Sequence, residues 1–387
     1  MNRIRSIDIT RGLVMVIMAL DHVREFWHTT AMTVSPTDLT KTTTALFFTR
    51  WITHLCAPAF VFLAGASAYI SIRRTGNISE SRKFLLTRGL WLVLLEFTLI
   101  NFALWFDIRF RLLILEVIGA IGFSFIILSL LLSLGSRTVG TLGLIIILSH
   151  NMLQVGEMPV SKASALLFSA LFRPNMIQFS DVFSIFTAYP VIPWLGIMLL
   201  GFGFGEVFEL TFEKRKKFLL WSGTSALFLF VVLRFTNIYG DPAIWSDQKS
   251  CWFTFLSFIN VTKYPPSLLF TLLFVGLTLI TLRISEGLQG KFSSLSEAYG
   301  KVPFFYFVVH LYLIHALMFV MLFIQGYGKN DMVFGAFKNG RPDTGGGISL
   351  TGVYLIWLGV VIVMYPLCRW YGRFKAEKRH IRILRYL

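Results

Sequence analysis

Apolar segments of about twenty residues follow one another along most of the chain and are separated by short polar links that are often basic. About twenty consecutive apolar residues are enough for an α-helix to cross the hydrocarbon core of a bilayer. A transmembrane β-barrel would instead show segments of about ten residues in which apolar and polar positions alternate. The pattern therefore predicts an all-α, polytopic membrane protein.

Ten helical spans are predicted from this pattern, with boundaries uncertain by about two to four residues. They cover residues 7–27, 46–72, 84–106, 112–134, 138–156, 184–210, 217–235, 264–283, 302–325 and 349–368. An even number of spans places both termini on the same side of the membrane. Because no internal repeat and no inverted repeat of the transporter type is visible, we predict a single domain over residues 1–387.

The composition supports the same class. Of the 387 residues, 55% are hydrophobic and 14% are charged, and the mean hydropathy is +0.69. This leaves too little polar surface to cover a water-soluble globule. Cys56, Cys251 and Cys368 lie far apart without a C-x-x-C spacing, so we predict neither a disulfide framework nor a metal site.

The net charge is +16, and the distribution of the basic residues follows the predicted membrane topology. The charge therefore does not indicate a nucleic-acid partner. With the amino terminus inside, 21 of the 36 Lys and Arg residues fall in inside segments. They include Arg3 near the amino terminus and Arg379, Arg382 and Arg385 in the carboxyl-terminal tail. The positive-inside rule therefore predicts that both termini are cytoplasmic.

Charged and histidine side chains within the first span are the first functional candidates, because such groups are costly in lipid. Arg11 and His22 are eleven residues apart, about three helical turns, and so share one helix face about 16 Å apart. This spacing would suit an anionic donor held at Arg11 and a general base or acyl carrier at His22. Alternatively, Arg11 snorkels to the interface and pairs with Asp8, while His22 only hydrogen-bonds another helix.

The second span carries Arg50 and His54, one turn apart on a shared face. Pro58 leaves the carbonyl of His54 without its helical donor and is expected to distort the helix there. Because consecutive spans run antiparallel, Arg50 and His54 should lie at about the depth of His22.

The ninth span contains His310 and His315, which cannot both face one site because five residues turn a helix by about 140° relative to the starting direction. Counting the rise from the inner ends of the spans places His315 at about the depth of His22 and His310 nearer the cytoplasm. We therefore favour His315 as the partner of His22 in the outer layer. His310 could line the route of the donor or simply hydrogen-bond another helix.

Several motifs together resemble a known family. They are Arg3-Ile-Arg-Ser-Ile-Asp-Ile-Thr-Arg-Gly12, Asp21-His-Val-Arg24, Phe48-Thr-Arg-Trp-Ile-Thr-His54, Cys56-Ala-Pro58, Phe62-Leu-Ala-Gly65, Tyr189-Pro-Val-Ile-Pro-Trp-Leu-Gly196, Lys263-Tyr-Pro-Pro-Ser-Leu268 and His310-Leu-Tyr-Leu-Ile-His315. The set resembles the bacterial DUF1624 family, which is related to the catalytic domain of heparan-alpha-glucosaminide N-acetyltransferase. The Arg11 to His22 spacing also resembles the R-x10-H signature of wider transmembrane acyltransferases.

In those relatives, an acyl group from cytoplasmic acyl-CoA reaches a sugar on the far side of the membrane. The resemblance therefore implies a transmembrane acyltransferase fold of about ten or eleven helices around a through-membrane cavity, often in a homodimer. One departure concerns the catalytic base. The sugar acetyltransferase has Asn where this chain has His22, and its proposed catalytic His falls in the following loop. In this chain, His28 is the only histidine of that loop.

The leading hypothesis is an acyltransferase of the cell (inner) membrane that moves an acetyl or similar short acyl group from acetyl-CoA, or another acyl-CoA, to an amine or hydroxyl of a sugar or glycan. His22 would be the general base or a transient acyl carrier, oriented by Asp21 or His54. Arg11 and other inner-side cations would hold the phosphates of coenzyme A.

Acceptor binding is assigned to the outer layer. Arg50 and His315 would stabilise the developing oxyanion or bind the acceptor, and Asp38 in the first outer loop would help to select it. The expected partners are acyl-CoA, the glycan acceptor and membrane lipids.

Two other classes stay open. The same buried polar residues could serve as a proton relay in a transporter or flippase of a polar solute or lipid-linked glycan, although the helices lack evident midplane breaks. The chain could also be a scaffold that has lost catalysis. Acyl transfer without transport of the acceptor would separate the first two classes, and binding of coenzyme A would argue against the third.

Overall fold

The computed structural model describes residues 4–31, 33–154, 158–343, 345–378, 380, 381 and 384. Arg3, Arg379, Arg382 and Arg385, which contributed to the predicted topology, lie outside these residues, as do the last two residues of the predicted fifth span. Among the described residues, helices dominate and two small sheets lie in the connections between them.

The α-helices are α1 (Arg5–Trp27), α2 (Thr44–Trp51), α3 (Cys56–Thr75), α4 (Ile78–Leu95), α5 (Asn101–Trp105), α6 (Val117–Leu131), α7 (Ser136–Ser149), α8 (Lys162–Leu171), α9 (Val191–Phe204), α10 (Phe212–Thr236), α11 (Cys251–Ile259), α12 (Leu268–Ser285), α13 (Lys291–Gly300), α14 (Pro303–Ile324) and α15 (Leu350–Glu377). A 3₁₀ turn, Ile52–Leu55, joins α2 to α3, and a π-helical segment, Glu96–Ile100, joins α4 to α5.

Eight continuous helical segments in the described part of the chain are long and apolar enough to cross a membrane. They are Thr44–Thr75, Ile78–Trp105, Val117–Leu134, Val191–Glu209, Phe212–Thr236, Leu268–Ser285, Pro303–Ile324 and Leu350–Glu377. These segments confirm the prediction of an all-α, polytopic membrane protein. The predicted first and fifth spans are not among the eight, since α1 carries six charged residues in its 23 positions and α7 has only 14 residues.

Two predicted spans begin too early. Strand β1 (Leu112–Leu115) pairs in parallel with β3 (Phe183–Thr187), which pairs antiparallel with β2 (Asn175–Ser180). The following helices start only at Val117 and Val191. The prediction failed because a short apolar run has no periodicity that distinguishes a buried strand from a helical turn. A second, two-stranded sheet pairs β4 (Phe334–Gly335) with β5 (Lys338–Asn339).

Buried polar side chains attach β1 to the helices. Asn101 exchanges hydrogen bonds with the backbone of Ile114, at 2.9 Å from its Nδ2 and 3.2 Å to its Oδ1. The fully buried Glu96 accepts a hydrogen bond of 2.6 Å from the backbone N–H of Glu116, at the start of α6. Both therefore satisfy backbone groups that the end of a strand and the start of a helix leave open.

Helix α1 lies at the centre of the bundle. It packs against α3 from the first half of the chain and against α12, α13, α14 and α15 from the second half. Three of its charged side chains, Asp8, Asp21 and Arg24, are buried. Its polar face is therefore directed into the protein, which explains how a helix with so many charges can lie among apolar neighbours.

The closest approach of α1 to another helix is its crossing with α13. A Cβ atom added at Gly12 would lie 1.6 Å from the carbonyl oxygen of Ser296, and one added at Gly300 would lie 1.8 Å from that of Asp8. Both contacts are with backbone, which cannot rotate away as a side chain could. Glycine at these two positions therefore allows the helix backbones to touch.

Replacing Gly12 by alanine should force α1 and α13 apart and lower the free energy of unfolding by at least about 1–3 kcal/mol. Thermal unfolding of the detergent-solubilised protein would measure this loss. Gly359→Ala in α15 is the matched control, because a Cβ there would meet no atom within 4 Å. Equal melting temperatures for the two variants would contradict the proposed role of the crossing.

Candidate functional site

Two cavities lie near opposite ends of α1. The Arg50 cavity, near the end of the helix, has a volume of about 640 Å³. Its lining includes Arg24, Glu25, Arg50, His54, Lys263 and Tyr264, together with loop residues 33–37. The Arg11 cavity, nearer the start of the helix, has a volume of about 250 Å³ and is mostly apolar.

An ion cluster joins α1 to α2 at the Arg50 cavity. The Asp21 carboxylate accepts hydrogen bonds from Arg24, at 3.0 Å from Nη2, and from Nη1 of Arg50. Arg50 also donates a hydrogen bond of 3.3 Å to the Tyr264 hydroxyl. The structure thus brings the first two predicted spans together in one layer.

Asp21 does not hydrogen-bond His22 in the described structure, so its position does not support the predicted orienting role. Neighbouring residues on a helix project about 100° apart, which sends these two side chains to different surroundings. Asp21 instead neutralises the buried Arg24 and the half-buried Arg50.

The half-buried His22 faces His310. The ring centroids are 5.2 Å apart, and Phe307 lies edge-on to His22 at 6.3 Å. Nδ1 of the fully buried His310 donates to the carbonyl of Tyr306 at 2.7 Å, which leaves Nε2 as the accepting nitrogen of the neutral ring. Nδ1 of His22 and Nε2 of His310 are both buried without a hydrogen-bond partner, so each retains capacity for a ligand or proton.

His315 lies elsewhere, and the preference for it over His310 is wrong. Its ring nitrogens bond the carbonyls of Ala103 at 2.7 Å and Asn339 at 2.8 Å, and its ring stacks on Phe106 at 3.9 Å. These contacts fasten α14 to α5 and to β5, so the geometry does not support acceptor binding by His315.

The error came from the assumption that the first and ninth spans begin at the same level. Helix α13 packs against the first turns of α1, with Gly300 beside Asp8, and α14 begins only after it. His310 is consequently raised to the level of His22.

Of the two remaining predicted site residues, His54 lines the Arg50 cavity and Asp38 does not. His54 lies in the 3₁₀ turn before Pro58, where a distortion was expected. Its ring is buried beside Phe270 and Phe274, and it lines the Arg50 cavity. Asp38 is not among the residues that line this cavity. Its carboxylate accepts hydrogen bonds from the side chain and backbone of Thr40, which lower its pKa, so its position supports a turn and not acceptor selection.

Arg11 lines the cavity that bears its name. Its Nη2 donates to the carbonyl of Leu63 at 2.9 Å and to the Ser67 hydroxyl. Phe307 lines the same cavity and also contacts His22. The cavity therefore extends from a cation to the neighbourhood of the paired imidazoles.

The sequence reasoning missed Lys263, Glu25 and Arg88. Lys263 is buried, and its ammonium lies over the rings of Tyr264 at 4.9 Å and Tyr189 at 5.7 Å. It occurs within a motif of the family resemblance, which could have drawn attention to it. Arg88, which lines the Arg11 cavity, was detectable as a charge within the predicted third span.

His28, the other histidine near the site, makes its hydrogen bonds within the loops. Nδ1 of His28 lies 2.9 Å from the Thr30 hydroxyl, and the His28 carbonyl accepts from Arg341 at 2.8 Å. Burial, together with the Arg24 and Arg341 charges, lowers the pKa of this imidazole. In the described part of the chain, no group of three His, Cys, Asp or Glu side chains is arranged to hold a metal ion.

Comparison with known families gives one match. The model of the family described as "Heparan-alpha-glucosaminide N-acetyltransferase, catalytic" matches residues 3–236, more than half of the chain. The match includes Arg11, His22, Arg50 and His54 and ends before His310. No curated protein matches the sequence significantly.

Proposed function

The chain belongs to the heparan-alpha-glucosaminide N-acetyltransferase catalytic family, and on this basis we propose how it acts. The family supports a membrane enzyme of the acetyltransferase type. The proposed reaction moves an acetyl or short acyl group from acetyl-CoA, or another acyl-CoA, to an amine or hydroxyl of a sugar or glycan.

The observation that carries this proposal is the position of His22 between the two cavities. Phe307 links it to the Arg11 cavity, while Arg24 and Glu25, which follow it in α1, line the Arg50 cavity. A thioester entering from one side and an acceptor entering from the other could meet at this imidazole. Such an arrangement supplies proximity, which is a large part of the catalysis of group transfer.

In the proposed reaction, the acceptor nitrogen or oxygen forms a bond to the thioester carbonyl carbon, and the carbon–sulfur bond breaks. His22 takes the proton from the acceptor and passes it to the departing thiolate, so that coenzyme A leaves as the thiol. His310 would hold the ring of His22 in place. Arg50 and His54 would stabilise the negative charge on the carbonyl oxygen or bind the acceptor.

The location and assembly belong to the same proposal. We place the enzyme in the cell (inner) membrane with both termini in the cytoplasm, so that the Arg11 cavity faces the supply of acyl-CoA. The excess of basic residues in the predicted inside segments supports this orientation. A single domain and a homodimer are the expected organisation.

The test is transfer of label by purified protein in nanodiscs, incubated with radiolabelled acetyl-CoA and a panel of amino sugars and glycans. We expect label to appear on at least one acceptor. Release of coenzyme A without any labelled acceptor would indicate a wrong panel. Absence of both donor binding and turnover, with uptake of a labelled sugar by proteoliposomes, would instead favour the transporter.

A further inference from the structure

Arg88 projects from α4 into the Arg11 cavity without a hydrogen bond to any other described residue. Its Nε atom is buried and has no partner. Its guanidinium lies over two aromatic rings, at 5.9 Å from the centroid of Phe84 and 5.7 Å from that of Phe125. A guanidinium carries five N–H donors, so this one retains most of its capacity to bind an anion.

The described lining of the cavity offers Arg88 no acidic partner. Arg11 and Arg88 both line it, and none of the described residues that line it is an aspartate or glutamate. The other lining residues are mostly aliphatic and aromatic, and they include Phe60, Leu92, Ile121 and Phe304. A guanidinium in apolar surroundings, such as that of Arg88, is costly unless an anion neutralises it. The cavity is therefore suited to a ligand with an anionic end and a slender, less polar body.

We propose that Arg88, together with Arg11, binds the phosphate groups of the acyl-CoA donor, with the pantetheine arm lying along the apolar wall towards His22. This inference rests on the proposed function and assigns its donor site. Arg11 and His22 are about 16 Å apart along α1, an interval that the extended arm can cover. The volume of about 250 Å³ is below the roughly 300–1,000 Å³ that encloses a whole drug-sized ligand, so the adenosine stays outside.

The test is Arg88→Gln in the full-length protein, with unacylated coenzyme A and pantetheine, which lacks the phosphates, as probes. We expect the Kd of coenzyme A, measured by calorimetry in detergent, to rise at least tenfold, because charge-assisted hydrogen bonds to phosphate are lost. The Kd of pantetheine should change less than twofold. Arg88→Lys should restore part of the affinity, since lysine keeps the charge but not the bidentate geometry.

Arg82→Gln is the matched control, because Arg82 lies on the same helix but outside the cavity and donates to the carbonyl of Ser129. It should leave the Kd of both probes unchanged. An equal loss for coenzyme A and pantetheine in Arg88→Gln would assign Arg88 a structural role and overturn the proposal. Unchanged binding of coenzyme A, or no binding by the wild type, would overturn it as well.

These binding measurements separate the two proposals. If coenzyme A binds through Arg88 but no acyl group is transferred to any acceptor, the donor site stands and the proposed reaction fails. If transfer occurs and the Kd and KM of the donor are insensitive to Arg88, the reaction stands and the assignment of the site fails.

Discussion

Replacing His22 by alanine should lower the rate of acyl transfer by about 10²- to 10⁴-fold, the usual contribution of a general base. His22 lies beside His310 and between the two cavities, so its loss removes the proton acceptor from the place where donor and acceptor would meet. The melting temperature and the Kd of coenzyme A should change little, because the ring makes no hydrogen bond to the described protein. Single-turnover transfer of labelled acetyl groups would measure the effect.

His28→Ala is the control that makes this test decisive. In the related sugar acetyltransferase the proposed catalytic histidine falls in the loop where this chain has His28. The structure places the His28 ring against Thr30, and its bond to Arg341 uses the backbone carbonyl. We therefore expect His28→Ala to retain most activity. A fully active His22→Ala with an inactive His28→Ala would move the catalytic role to the loop.

Replacing Asp21 by alanine should lower the free energy of unfolding by about 3–5 kcal/mol, because it leaves the buried Arg24 and the half-buried Arg50 without their counter-ion. The same change removes the link between α1 and α2, so the Arg50 cavity should lose its shape along with the stability. Chemical or thermal unfolding in detergent would measure the loss.

An exposed ion pair provides the comparison. Glu213 lies 3.8 Å from Lys216 on the surface of α10, and its side chain is 72% exposed. Glu213→Gln should cost less than about 1 kcal/mol. If Asp21→Ala were as stable as Glu213→Gln, the buried cluster would contribute nothing beyond an ordinary surface pair.

The sequence predicted the helical spans well where length and hydropathy coincide, as in the helices that contain Phe230 and Val308. Prediction from the sequence failed for elements whose structure depends on segments that are distant along the chain. The polarity of α1 is accommodated by helices from the far end of the chain, and the strand at Leu112–Leu115 forms only because β3 lies beside it. Neither pairing leaves a periodic trace in the sequence.

The candidate site was predictable in part for the same reason. Helical spacing correctly separated the directions of His310 and His315, but it could not show that α13 raises the start of α14. Arg50 was placed near the first span because consecutive helices tend to be neighbours. The hydrogen bond between Arg50 and Asp21 and the unpartnered Nε of Arg88 depend on side-chain geometry. Spacing along one helix does not determine that geometry.

The central position of α1 has a consequence for biosynthesis. Charged residues oppose the transfer of a helix from the insertion machinery into lipid, by up to about 2.5–3.5 kcal/mol each at the helix centre. This helix carries six charged residues, three in its first seven positions and three in its last seven, and it is synthesised before α12 to α15, which supply most of its final neighbours. Until α12 to α15 have been synthesised, α1 can pack against α2 and α3, but its charged residues lack most of the protein that finally surrounds them.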